Sequence, residues 1–304
     1  MCWWGIYHHS VSMNISFPPE IRHDFHGFQL LINLIIQTKT CFLETIEINM
    51  QATTWFDADM AAAFGAILYK LGMELNTIKL TNLHPKVESI LSRNGFLSYY
   101  GKEIIPDFWN TAIPYHRFDT KDDRYFAEYI EQEFLHREEM PTMSSGLLKK
   151  FRESIFEIFS NAVIHSETEL GIFSCGQFYP NKKRLTFSVV DLGIGIRNKV
   201  QKAMNLNLSA EDSIRWAIAG KNTTKKGPVP GGLGLKLLSD FIDLNEGSIQ
   251  IISDTGYLQR KNRQTTTQPL KGNSFPGTVV TIEINTADTA SYQLSSEIPL
   301  TDIF

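Results

Sequence analysis

Three groups of residues in this 304-residue chain have the types and spacing to do chemistry. The first is Glu157 and Asn161, in a run whose apolar residues Leu148, Phe151, Ile155, Ile158 and Ala162 recur at helical spacing. Residues four apart stack one turn apart on one side of a helix. An amide oxygen so placed can ligate Mg²⁺, and the carboxylate can take a proton from an attacking nucleophile. Alone, such a pair is more commonly just solvated. The second is the strand-like Leu185–Val190 running into Asp191-Leu192-Gly193-Ile194-Gly195. Strand alternation puts Asp191 on the side of Leu185, Phe187 and Val189, where a carboxylate needs a partner. The exocyclic amine of adenine is such a partner, and Gly193 and Gly195 would let the backbone pass close to the ring. A plain strand followed by a glycine turn is the simpler alternative. The third is Gly231-Gly232-Leu233-Gly234-Leu235-Lys236, ahead of the helical pattern Leu237, Leu238, Phe241, Ile242 and Leu244. Backbone N–H groups at a helix N-terminus suit a triphosphate. Lys236 lacks the Ser or Thr that follows in a Walker loop, and the third glycine of a dinucleotide fingerprint is missing.

These groups need elements to hold them, and the two halves of the chain are built differently. Thirteen of the 20 glycines lie between Gly171 and Gly277. In the first half the patterning predicts a helix over Asp24–Thr38 and a strand over Glu44–Met50, at a sheet edge or half-buried. An Ala-rich helix over Met60–Met73 follows, headed by Asp57 and Asp59 as capping acids, then a strand over Thr77–Leu80 and a helix over His84–Arg93. This order implies an α/β layer with parallel pairing. Gly101–Thr120, with two prolines, reads as a connector, and Asp122–Glu139 as a charged helix with Phe126, Tyr129, Ile130 and Phe134 on one side. His136 reads as a surface histidine and Lys182-Lys183-Arg184 as a solvated hairpin.

Taken in order, the three chemical groups resemble the GHKL ATPase superfamily of gyrase B, the heat-shock chaperone, histidine kinases and the mismatch-repair L protein, over about Ser144–Ile284. Phe156–His165 is most similar to the N box of the anti-sigma-factor serine kinases. The resemblance implies Glu157 as general base, Asn161 as Mg²⁺ ligand, and Asp191, Gly193 and Gly195 around adenine. It also implies Gly231, Gly232, Leu233, Gly234 and Leu235 around the phosphates, Thr278 supporting Asp191, and a lid over Arg197–Pro230 in which Lys221 neutralises phosphate charge. His165 matches a frequent residue of that box and reads as local packing. Residues Ile15–Tyr100 resemble a STAS domain, the α/β module of anti-anti-sigma factors. The serine that accepts phosphate in those proteins falls here on Ala58, which has no hydroxyl. The expected architecture is a STAS-like α/β domain over 1–112, a connector with the charged helix over 113–143, and a GHKL α/β sandwich over 144–304, a mixed sheet covered by helices on one face.

Composition narrows the rest. Hydrophobic residues at 42% and charged ones at 20% describe a globular protein, and a net charge of −4 argues against a general nucleic-acid or anionic-membrane binder. The richest apolar stretch, Leu30–Ile36, is interrupted by Asn33 and falls far short of the roughly 20 residues that cross a bilayer. The start of the chain lacks a secretory signal's layout. Cys2, Cys41 and Cys175 fit neither a disulfide framework nor a zinc site, so reduced thiols and a cytoplasmic location are expected. Three functions fit. The favoured one is a regulatory ATPase, binding ATP and Mg²⁺, whose lid controls a protein partner or a homodimer. The others are a serine/threonine protein kinase acting on a separate protein, and a non-catalytic ATP binder. A full histidine kinase ranks last, because no dimerisation hairpin fits.

Overall fold

A computed structural model of the protein describes residues 12–165, 167–219 and 233–297. The first hundred residues form β1 (Ser12–Ser16), β2 (Glu20–Ile21), α1 (Phe25–Thr38), β3 (Thr45–Asn49), β4 (Trp55–Phe56), α2 (Met60–Met73), β5 (Thr77–Thr81) and α3 (Pro85–Arg93). The Asp24 carboxylate starts α1 by accepting the Gly27 N–H at 2.9 Å, and His84 followed by Pro85 starts α3. Strands β1, β3 and β5 pair in parallel in that order, as the alternation of strands and helices implies. β3 is the central strand and not an edge, with Ile46 and Ile48 fully buried. Its partner β1 carries one buried residue, Ile15, too weak a pattern to announce a strand.

The remainder forms β6 (Ala112–Phe118), α4 (Asp123–Ile130), β7 (Thr142–Met143), α5 (Ser145–His165), β8 (Ile172–Tyr179), β9 (Arg184–Asp191), α6 (Gly195–Met204), α7 (Ala210–Ile218), α8 (Leu233–Asn245), β10 (Ser248–Asp254), β11 (Gly256–Lys261), β12 (Gln264–Pro269), β13 (Phe275–Asn285) and β14 (Ser291–Tyr292). Seven strands make one sheet in the order β12-β11-β10-β13-β9-β8-β6. Every neighbouring pair is antiparallel, which corrects the mixed sheet expected. The connections β8–β9, β10–β11 and β11–β12 are short hairpins, so those neighbours must run in opposite directions. β9 and β10 do run the same way, joined through α6, α7 and α8, but β13 is inserted between them.

The 101–120 stretch is more than a connector, because Ala112–Phe118 is the edge strand β6. Pro114 hid it. An edge tolerates a missing N–H donor, and the register shifts between Ile113 and His116, across that proline. The charged helix keeps its expected inward side: Phe126, Tyr129, Ile130 and Phe134 are all buried.

The sheet is covered on both faces, which corrects the one-sided sandwich. On one face α4, α5 and α8 close a core with Phe187, Val189, Ile251 and Val280. On the other, the first hundred residues share a core with Phe173, Cys175, Val190, Ile252 and Tyr257, so no break into separate cores falls near residue 112. Helix α2 makes this possible, since every residue from Met60 to Leu68 is buried. It touches α1 and β5 on one side and β6, β8 and β9 on the other. A helix apolar all round must be buried all round. Cys41 and Cys175 are free and buried, while Cys2 lies outside the described residues. Among the described residues no helix is long and apolar enough to cross a membrane.

Candidate functional site

Helix α5 turns its apolar stripe into the helix-side core, with Phe151, Ile155, Ile158 and Ala162 buried. Glu157 and Asn161 are half-buried one turn apart, and α8 packs alongside. The Gly234 N–H, in the first turn of α8, donates to Glu157 Oε2 at 3.0 Å. A Cβ on residue 234 would lie 2.5 Å from that oxygen and 3.1 Å from Ser154 Cα, so any larger residue would have to displace the Glu157 carboxylate. The structure therefore brings the first chemical group to the third. Leu233 opens α8 and Leu235 packs partly buried against the core. Gly231, Gly232 and Lys221 lie outside the described residues, as does the 220–230 part of the expected lid. Its larger part, 197–219, forms most of α6 and all of α7, which touch β10, β11, β12 and β13.

Asp191 ends β9 on the helix-covered face, 4% exposed, in line with Leu185, Phe187 and Val189 as alternation requires. Its carboxylate accepts the Gly193 N–H at 2.9 Å. Burial pushes the Asp191 carboxyl up to about 7, even though the N–H groups of Gly193 and Thr278 pull it down. Two glycines let the backbone close around it. Gly195 begins α6 at φ +74°, with its missing Cβ 2.9 Å from Ser253 Oγ. Gly277, at φ +114°, brings β13 so close that a Cβ would sit 2.1 Å from the Asp191 carbonyl oxygen. Thr278 stands directly opposite Asp191, and Ser253 stands directly opposite Thr278. Ser253 was not singled out from the sequence: a serine near the end of an apolar strand carries no signal until its neighbours are known.

Among the described residues no group of three or more His, Cys, Asp or Glu could hold a metal ion. Asn161 could contribute one oxygen ligand, with the rest left to phosphate and water, which is how Mg²⁺ is commonly held.

A second polar cluster sits on the opposite face, where the first hundred residues meet the sheet. His23 Nδ1 lies 3.2 Å from both Asp57 Oδ2 and Asp59 Oδ1, and Nε2 lies 3.4 Å from Glu283 Oε2. Burial works against the imidazolium, yet Asp59, Asp57 and Glu283 together raise His23 well above its ordinary value. Burial likewise opposes ionisation of Asp57, but His23 holds its carboxyl down at about 2. Asp59 occupies the N-cap position of α2 without capping it, because its carboxylate is engaged by His23, Thr186 and Ser188. The expected acidic caps are thus an inter-element junction. Nor is the basic run simply solvated: Lys182 Nζ stands 4.3 Å from the Trp55 ring centroid, and Arg184 lies 3.7 Å from Glu283. His136 is a surface histidine, with its side chain 60% exposed. Ala58 is fully buried, its N–H donating to Tyr179 Oη at 3.0 Å, so that position is closed to a partner as well as lacking a hydroxyl. Compared with known families and with characterised proteins, the chain matches no family model and no curated relative.

Proposed function

We propose that the chain binds Mg-ATP and hydrolyses it, and that the nucleotide cycle regulates a protein partner. The observation that carries this reading is the contact of the Glu157 carboxylate with the first-turn N–H of the glycine-led helix α8. A base and an anion-binding helix end are then side by side. The fit to a purine is supported by a buried carboxylate, Asp191, at the end of β9, with Gly193 and Gly195 immediately after it. Asp191 would accept the adenine amine, Asn161 would ligate the metal, and Glu157 would take the proton from the attacking water. Bound Mg²⁺ would neutralise charge on the phosphate oxygens. The resemblance to GHKL ATPases supports the same assignment. Glu157 would serve equally to deprotonate a serine or threonine of a separate protein, which keeps kinase activity as the second reading.

The deciding experiment incubates the purified protein with γ-labelled ATP and Mg²⁺ and follows free phosphate and labelled protein together. Free phosphate is expected. Label on added protein substrates would establish the kinase reading, and failure to bind ATP at all would overturn both. In the same assay Asn161→Ala should weaken Mg-ATP binding on the order of 100-fold, the several kcal/mol that a metal's charge supplies. EDTA should have the same effect on the native protein. A variant that binds Mg-ATP normally would remove Asn161 from the metal site.

The titration of Asp191 gives a pH dependence with a definite sign. With its carboxyl at about 7, the ionised acceptor predominates at pH 8 and is the minor form at pH 6. ATP affinity, measured by calorimetry, should therefore fall about tenfold from pH 8 to pH 6. Asp191→Asn cannot titrate and should bind with a flat profile. A native profile as flat as the variant's would exclude Asp191 from the contact.

A further inference from the structure

The registers of β9, β13 and β10 align Asp191 with Thr278 and Thr278 with Ser253. Residues directly opposite one another in antiparallel strands share a face, so these three polar groups form one row across the sheet. The next row on that face, Val189, Val280 and Ile251, is apolar and buried. The polar row is therefore a local interruption of a hydrophobic surface.

Ser253 is 1% exposed, and its hydroxyl meets three groups. The Ile196 N–H donates to Ser253 Oγ at 2.8 Å, the Gly277 carbonyl oxygen lies at 2.9 Å, and Thr278 Oγ1 lies at 3.2 Å. A serine hydroxyl has one proton and two lone pairs. Gly277 O can only accept, so the serine proton goes there. One lone pair is taken by Ile196 N–H. The Thr278 hydroxyl must then donate to the other. Its proton is turned into the protein, and what Thr278 offers to anything beside Asp191 is lone pairs alone.

This polarity matters because a carboxylate by itself discriminates poorly between purines. Ionised Asp191 can accept the 6-amino group of adenine, and it can equally accept the N1–H and 2-amino group of guanine. A neighbouring acceptor suits the first, whose 6-position carries donors, and opposes the second, whose 6-oxo group is itself an acceptor. We propose that Ser253 is a positioning residue for purine specificity, fixing the Thr278 hydroxyl as an acceptor so that the site takes 6-amino and rejects 6-oxo purine nucleotides. The proposal rests on the nucleotide-binding reading of this site.

The test is the ratio of dissociation constants for Mg-GTP and Mg-ATP at pH 8, in the native protein, Ser253→Ala, Ser253→Thr, Thr278→Val and the Ser253→Ala/Thr278→Val double variant. Freeing the Thr278 hydroxyl to donate should lower the ratio in Ser253→Ala on the order of tenfold, about the worth of one hydrogen bond. Ser253→Thr, which keeps the hydroxyl, should retain the native ratio. Thr278→Val should lower the ratio too, and adding Ser253→Ala to it should change the ratio no further. A merely structural role for Ser253 would weaken both nucleotides alike and leave the ratio unmoved, which would overturn the proposal. Should Ser253→Ala fail to fold, an unchanged ratio in Thr278→Val would overturn it equally. Those results with ATP still bound would leave nucleotide binding standing, whereas a native protein that binds neither nucleotide would remove both.

Discussion

Replacing Glu157 with alanine should slow phosphate release from Mg-ATP by ~10²–10⁴-fold, the range that a positioned general base contributes. Affinity for ATP should change much less. Glu157 also accepts the Gly234 N–H, so alanine removes two things at once, a base and the partner of the first turn of α8. Glu157→Gln separates them. The amide oxygen can still accept from Gly234, while its nitrogen cannot take a proton. If Glu157 is the base, both variants lose turnover alike and glutamine retains the native ATP affinity. If the carboxylate serves chiefly to hold α8, glutamine should recover most of the turnover that alanine loses. Single-turnover hydrolysis beside equilibrium binding distinguishes the two, because loss of chemistry lowers the rate at saturating ATP and loss of the helix contact weakens binding. A glutamine variant with native turnover would exclude Glu157 as base.

The parts of this arrangement that could be read in the sequence are those governed by local rules. Helices α1, α3 and α5 follow from capping residues and 3.6-residue periodicity, α2 from its run of alanines and other helix formers, and the aim of Asp191 from two-residue alternation within β9. What was not legible depends on residues far apart in the chain. Pro114 masks β6, because a proline inside a strand is acceptable only at an edge, and nothing local says which strand will be the edge. The covering of the second face was present as a signal in the near-absence of a polar side on α2, although the sequence could not say what would pack against it. Ser253 and Thr278 meet across two strands 25 residues apart in the chain. His23 meets Asp59 over 36 residues and Glu283 over far more. Asp57 and Asp59 looked like helix caps since acidic residues before a helix usually are; the imidazole that claims them lies on an earlier segment.

That imidazole carries the second large effect. His23→Ala should destabilise the fold by about 3–5 kcal/mol, the cost of removing one partner from a buried ionic cluster. Asp57 and Asp59 are almost inaccessible to water at 3% and 1% exposure, and half-buried Glu283 faces them, so the variant would leave two buried carboxylates and a third beside them without their shared cation. Lys182, Arg184 and Lys261, at 4.0, 3.7 and 3.9 Å from Asp57 and Glu283, offset part of that charge but none of them reaches Asp59. The pH dependence follows from the direction of each shift. His23 is raised in the fold, so its contribution is complete below its unfolded value of about 6.5 and is lost as pH rises through the higher folded value. Asp57 is lowered, so its contribution is present above the ordinary carboxylate range and disappears only as pH falls through about 2. In His23→Ala, Asp57 and Glu283 lose the group that holds their carboxyls down, and protonating one becomes the remedy. Urea unfolding should therefore find the variant gaining stability from pH 6 to pH 5 relative to the native protein, whose His23 contribution is already close to complete there, and Asp59→Asn in the same background should recover part of the loss. A variant within 1 kcal/mol of native, with a parallel pH profile, would mean that the cluster is solvated and holds nothing. Glu283 and Thr278 lie on opposite faces of the same strand, β13, so the junction that clamps the first hundred residues to the sheet also braces the strand that backs Asp191. Loosening it should therefore weaken ATP binding as well as the fold, although His23 lies on the far side of the sheet from the proposed nucleotide site.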